Sequence, residues 1–198
     1  MTVYTLRHGE TVWNAEGKLC GMIDVPLTER GRAQARSVAS LIGKENETKY
    51  QIRHILSSPL VRARETAEAI GEALGLPVEV DERLHEVSFG DWEGMDWNDP
   101  RRLEVWEEPF VRYPNGESLT DAALRVYPLL DGLEERFHGE NVLLVCHGAL
   151  GKVIATYYHS VFLKDFGKQL MPNCTLVPFG ATERKTGIPI KPFPAELA

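Results

Sequence analysis

Two histidines and two arginines carry the chemistry this sequence offers. Arg7 and His8 follow a short run, Val3-Tyr4-Thr5-Leu6, and precede Gly9. β-Branched, aromatic and apolar residues in such a run form a buried strand. Arg7 and His8 therefore stand at a strand end, where open α/β sheets bind their ligands. Gly9 lets the backbone turn sharply and a ligand come close. Arginine is a permanently charged planar donor, and imidazole can be neutral and nucleophilic near pH 7. Together they suit an anionic electrophile, above all a phosphoryl group.

The arrangement recurs. Asn141-Val142-Leu143-Leu144-Val145-Cys146 is a near-continuous apolar run of the kind found in a central strand covered on both faces, and it ends in His147-Gly148. Neighbouring strands would bring His8 and His147 to one sheet edge. A third strand, Ile52 to Ser58, ends in two small hydroxyl residues, with Arg62 one helical turn into the helix beyond. In the resulting electropositive pocket neutral His8 would attack phosphorus, while Arg7, Arg62 and His147 would bind the non-bridging oxygens. Side-chain cations then do what Mg2+ does in other phosphoryl transfers. No metal and no cofactor is expected.

The elements that must position these groups follow from periodicity and punctuation. Thr28 N-caps a helix predicted to run to Ile42, with Gly43 and Asn46 as its stop and residues 44–50 as a polar connector. A second helix is predicted from Pro59 to about Leu74, with Leu60, Ala63, Ala67, Ile70 and Leu74 inward and Gly75 ending it. Pro77 to Val80 reads as a strand, and Arg83 to Gly94 as irregular. Trp97 to Tyr113 reads as a short helical cap. Pro114-Asn115-Gly116-Glu117-Ser118 is a turn, after which Ser118 or Thr120 caps a helix running through Leu133 to Phe137, with Pro128 as a potential kink. A helix from Ala149 to His159 and a strand from Cys174 to Phe179 follow. Pro189, Pro192 and Pro194 mark an irregular tail. Strands alternating with helices predict an α/β fold: a three-layer sandwich with a mostly parallel central sheet, helices on both faces and a small cap insertion.

The 198 residues, 43% hydrophobic, suffice for one core. A single domain over 1–198 is expected, with the cap or lid at about 95–115. A formal net charge of -7 provides no long-range attraction to nucleic acid or anionic membrane. Any positive charge for an anionic substrate must be concentrated locally. Cys20, Cys146 and Cys174 are odd in number and widely spaced, which argues against a disulfide framework or zinc site. No secretory segment or membrane-length apolar run is evident, so the expected setting is cytoplasmic. Oligomeric state stays open.

LRHGETVWN at the start, LTERG at 27–31, SSPLVRARETA at 57–67, LHEVSFGDWEG at 84–94, NGES at 115–118 and VCHG at 145–148 together make the chain similar to the histidine phosphatase superfamily, which includes cofactor-dependent phosphoglycerate mutases and many phosphomonoesterases. The resemblance implies His8 as phosphate-accepting nucleophile and Arg7, Arg62 and His147 as the phosphate pocket. Arg62 rather than Arg64 is the match, because it precedes Ala63 as the family arginine does. Glu86 matches the general acid that protonates the leaving oxygen, a role for which a carboxyl group is chemically suited. Asp91 and Glu93 lie close by, and Glu10 is an alternative acid or a loop-orienting residue. Asn14 matches a position contacting phosphate or substrate. Cys20 stands where phosphoglycerate mutases have a hydroxyl residue, and its backbone with that of Gly21 is implied in substrate binding. His54, His85, His138 and His159 read as ordinary polar residues, and Trp92, Trp97 and Trp106 as packing under the cap, with lining of a pocket as the alternative.

HEVSFGDWEG resembles the phosphatase branch, lacking the Arg-His-Tyr-Gly segment of the mutases. Arg101-Arg102 lies in the insertion, but its surroundings match the mutases poorly. The expected activity is metal-independent hydrolysis of a small phosphorylated metabolite through a phosphohistidine. Phosphoglycerate mutase is the runner-up, and a non-catalytic member binding a phospho-ligand or a protein is a second alternative.

Overall fold

A computed structural model of the chain describes residues 1–105, 108–161, 166 and 171–180. Thr2–Arg7 forms β1, Ile52–Ser57 β2, Val78–Val80 β3, Asn141–Cys146 β4 and Leu176–Gly180 β5. They make one sheet in the order β3-β2-β4-β1-β5. β1, β2 and β3 run parallel to β4, and β5 runs antiparallel to β1 at the edge. The mixed, mostly parallel sheet and its flanking helices are the α/β architecture expected from the sequence.

Alternation along the strands sends side chains to two cores. Tyr4, Leu6, Leu143 and Val145 face one side, where α2 (Glu29–Glu45) and α3 (Val61–Leu74) bury Ala39, Ile42, Ala63, Ala67 and Ile70. Val3, Val142, Leu144 and Cys146 face the other, against α5 (Leu119–Arg136) and α6 (Gly148–Tyr158). The helices α1 (Val12–Ala15) and α4 (Pro100–Val105) are short pieces beside the carboxyl-terminal edge of the sheet or in the insertion. Among the described residues, no helix is long and apolar enough to cross a membrane.

Several predicted boundaries move, each for a local reason. The first long helix does not stop at Gly43. Its backbone approaches α3 there, and a Cβ at Gly43 would lie 3.5 Å from that of Ala73. The predicted connector is a π-helical turn, Asn46–Tyr50, that ends where Gln51 takes a positive φ. Asn46 ties this turn to β2 by accepting from Ile52 N at 2.8 Å and donating to Ile52 O at 3.0 Å. The helix expected from Pro59 begins at Val61 instead. Leu60 is extended at its N-cap, and Asp24 Oδ1 accepts from Val61 N at 2.8 Å. Ser118, not Thr120, caps α5, and Pro128 lies within it. The last strand begins at Leu176 because residues 172–175 form a turn beside His8. Trp106 and the proline-containing tail lie outside the described residues.

Candidate active site

Parallel pairing of β1 and β4 puts Arg7 opposite Cys146, so the next residue of each strand, His8 and His147, emerges at the same edge. The two rings meet edge-on with centroids 5.1 Å apart. β2, on the other side of β4, ends at the same level, and Ser58 N donates to Val145 O. Arg62 arrives from the first turn of α3. His8, Arg62 and His147 are buried.

Hydrogen bonds fix the tautomer of His8. Its Nδ1 lies 2.7 Å from the Gly9 carbonyl, which only accepts, so Nδ1 carries the proton and Nε2 keeps a lone pair. Burial, then the charges of Arg62 and Arg7, hold the imidazole well below the usual histidine range. Burial, Arg62, His8 and Arg7 do the same to His147. Both are neutral bases at pH 7.

The donors around them are incompletely used. Arg62 gives Nη1 to Ile23 O at 3.1 Å and Nη2 to Gly21 O at 2.6 Å, and Arg7 gives Nη1 to Met171 O at 2.6 Å. His147 Nε2 lies 2.7 Å from Ser58 Oγ. Arg7 Nε, Arg62 Nε and His147 Nδ1 are buried with no hydrogen-bond partner among the described residues. Unsatisfied buried polar groups cost stability. Three in one electropositive corner are chemically suited to an anion with several oxygens.

Glu86 faces this corner from the irregular stretch after β3. Its Oε1 accepts from Val87 N at 2.9 Å and Leu150 N at 2.8 Å, and its Oε2 from Ala149 N at 3.0 Å. His147, the N-cap of α6, makes no side-chain cap bond, so Glu86 caps that helix from outside. The backbone at Glu86 is held in turn by Arg125. That guanidinium donates to Glu86 O and Arg83 O and pairs with Glu117 of the NGES motif.

A cavity of about 410 Å3 opens over this arrangement and is lined by Arg7, His8, Asn14, Cys20 and Glu86 among others. Arg62, His147 and Gly21 do not line it. Asn14 Oδ1 accepts from Thr11 N and Asn173 Nδ2. Burial pushes the Cys20 thiol up to about 11, so it stays protonated. Gly21 contributes its carbonyl to Arg62 rather than a surface to the cavity. Arg64 is exposed. Glu10 is engaged with Thr28 Oγ1 at 2.9 Å and Arg30 at 3.4 Å, which orients the loop against α2. Asp91 accepts from Asn115 Nδ2. His54 stacks on Phe137, and His85 donates to Glu86 O. Trp92 packs against Tyr113. Trp97, for which the sequence offers packing under the cap with pocket lining as the alternative, lines the cavity, with the Arg102 guanidinium 4.1 Å above its ring.

Four residues near the site were not singled out from sequence. Asn173 donates to His8 O at 2.9 Å. Thr66 Oγ1 accepts from Gly9 N and donates to Arg62 O. Ser58 touches His147 as above. Lys152, buried on α6, lines the cavity. Thr66 and Ser58 sit inside the quoted SSPLVRARETA motif, whose hydroxyls were a usable signal. Asn173 and Lys152 carried none, since they reach the site only through tertiary packing.

The family description "Histidine phosphatase superfamily (branch 1)" matches residues 3–188. The chain is 39% identical over 165 residues, 79% of its length and 74% of the relative's, to "Probable phosphoglycerate mutase GpmB" of Yersinia pestis (strain Pestoides F). It is also similar to the solved structure of mycobacterial glucosyl-3-phosphoglycerate phosphatase Rv2419c, at 31% identity and TM-score 0.78, over 89% of this chain and 88% of that one. A third match is TTHB049 from Thermus thermophilus, at 32% identity and TM-score 0.69, over 90% and 92%.

Proposed function

Because the chain belongs to the histidine phosphatase superfamily, branch 1, we propose that it hydrolyses a small phosphorylated metabolite through a phosphohistidine on His8. The observation that carries this reading is the convergence of Arg7 Nε, Arg62 Nε and His147 Nδ1, all buried without partners among the described residues, around a neutral His8 whose Nε2 keeps its lone pair.

In the first step the Nε2 lone pair attacks phosphorus and the P–O bond to the leaving group breaks. Glu86, in the step where it carries the proton, delivers it to the departing alkoxide. Glu86 Oε2, which accepts one backbone N–H where Oε1 accepts two, is the atom with room for that proton. In the second step water attacks phosphorus, its proton returns to Glu86, and the N–P bond breaks to release phosphate and neutral His8. Arg7, Arg62 and His147 hold the non-bridging oxygens in both steps and replace a metal ion there. Ser58 Oγ accepts from Leu60 N, and we assign its O–H to His147 Nε2, the arrangement that leaves the serine both donating and accepting. The remaining imidazole proton then sits on Nδ1, ready to donate to the phosphoryl group.

Phosphoglycerate mutase is the second reading, favoured by the name of the Yersinia relative. The phosphatase name of the mycobacterial neighbour and the HEVSFGDWEG segment support hydrolysis. A phosphate-release screen over a metabolite panel, run beside 3-phosphoglycerate with a bisphosphate primer, separates them. Release of phosphate from at least one panel member with little isomerisation is expected. Rapid isomerisation with negligible release overturns the hydrolytic reading.

A further inference from the structure

The loop before Asp24 is tied down from two sides. Glu93 Oε1 accepts from Met22 N and Oε2 from Ile23 N, both at 2.7 Å. The carbonyls of the same loop point the other way. Gly21 O and Ile23 O accept from the two terminal nitrogens of Arg62. Asp24 then accepts from Val61 N, at the start of the helix that carries Arg62.

A peptide unit has its N–H and C=O on opposite sides. Fixing the N–H of residue 22 on this carboxylate therefore aims the carbonyl of residue 21 away from it and toward Arg62, while the bond to the N–H of residue 23 and the Asp24 link to Val61 hold the chain on either side of Ile23 O. Only glycine permits the approach at position 21. A Cβ there would lie 2.6 Å from Glu93 Oε1 and 2.8 Å from Val87 O. Each terminal nitrogen of Arg62 gives one of its two N–H groups to this loop, while Nε has no acceptor among the described residues.

We propose that Glu93 is a positioning residue: by clamping Met22 N and Ile23 N it holds the Gly21 carbonyl that orients the Arg62 guanidinium, leaving the remaining N–H groups of that guanidinium for phosphoryl oxygens. Glu93 acts through Arg62 and takes no proton in the reaction. The inference rests on the proposed role of Arg62 as a phosphate ligand.

The test is a double-mutant cycle between Glu93→Gln and Arg62→Lys, read as the affinity for inorganic phosphate and as kcat/KM on a phosphomonoester. A coupled pair is non-additive. We expect Glu93→Gln alone to weaken phosphate binding about tenfold, with little change in Tm, and to have under about twofold effect in the Arg62→Lys background. Equal weakening in both backgrounds, or none in either, overturns the proposal. If Glu93→Gln fails to fold, Glu93→Asp takes its place, since it keeps the charge but is too short to reach both N–H groups. The Nε–H resonance of Arg62, identified by its loss in Arg62→Lys, reads the same relation without ligand or turnover. It should shift or broaden when Glu93 is replaced, and an unchanged resonance overturns the proposal. A wild-type protein that binds phosphate but releases none from esters would sink the hydrolytic reading and leave this positioning test standing.

Discussion

Gly9 and Gly31 meet backbone to backbone. A Cβ on Gly9 would collide with the carbonyl of Gly31, and a Cβ on Gly31 with that of Glu10. Thr28 N donates to Glu10 O at 2.9 Å, and Gly9 N donates to Thr66 Oγ1 at 3.1 Å. The LRHGE and LTERG motifs are thus two sides of one contact, and His8 is set against α2 by the absence of side chains there.

Gly9→Ala and Gly31→Ala should each destabilise the fold by about 3 kcal/mol or more, since neither backbone can yield without moving β1 or α2. Urea unfolding checks this. Substitution at Gly132, where a Cβ meets nothing within 4 Å, should be tolerated and serves as the control.

Stability should fall as pH drops below about 6.5. His8 and His147 have folded pKa values well below the usual one, through burial and then the arginines. Near pH 6 the unfolded chain binds protons that the folded chain refuses, so unfolding free energy decreases with falling pH and is fully present above the unfolded pKa. Each histidine contributes at most about 1.4 kcal/mol per pH unit in that window. Unfolding free energies at pH 7 and pH 5 should converge when both histidines are replaced by Gln. An unchanged slope would show that other groups set it.

Arg62→Lys should lower kcat/KM by roughly a hundredfold, because an ammonium cannot reproduce the fork held by Gly21 and Ile23 while also reaching the phosphoryl group. Arg64→Lys should fall within about twofold, as expected for an exposed charge away from the site. Steady-state kinetics on the same ester decide between these arginines.

How much of this was legible beforehand follows from what each feature depends on. The sheet, and the convergence of His8 with His147, could be read from two apolar runs with the same ending, because a central strand announces itself by composition. Arg62 could be read by its distance from Ser58. Glu86 required the family resemblance, since Asp91 and Glu93 are chemically equivalent in the local sequence. Its three backbone donors come largely from α6, far along the chain. The continuation of α2 through Gly43 was illegible for a related reason: glycine is a stop signal by local propensity, but here tertiary packing against Ala73 uses its small size.

Glu86→Gln should separate substrates by leaving group. With an alkyl phosphate, kcat should fall by roughly 10²–10⁴, the usual contribution of a general acid. A nitrophenyl ester, whose leaving group needs no proton, should lose much less. Equal losses on both would remove Glu86 as the acid and leave it as the cap of α6.

The central claim is covalent transfer to His8. Rapid quenching during turnover of a 32P-labelled phosphomonoester, into alkali to preserve phosphohistidine, should yield labelled protein whose label is released by acid and maps to the peptide containing His8. His8→Gln, with its Tm unaltered enough to show folding, should show neither label nor turnover. Turnover that persists in His8→Gln, or a label on another residue, would contradict the account.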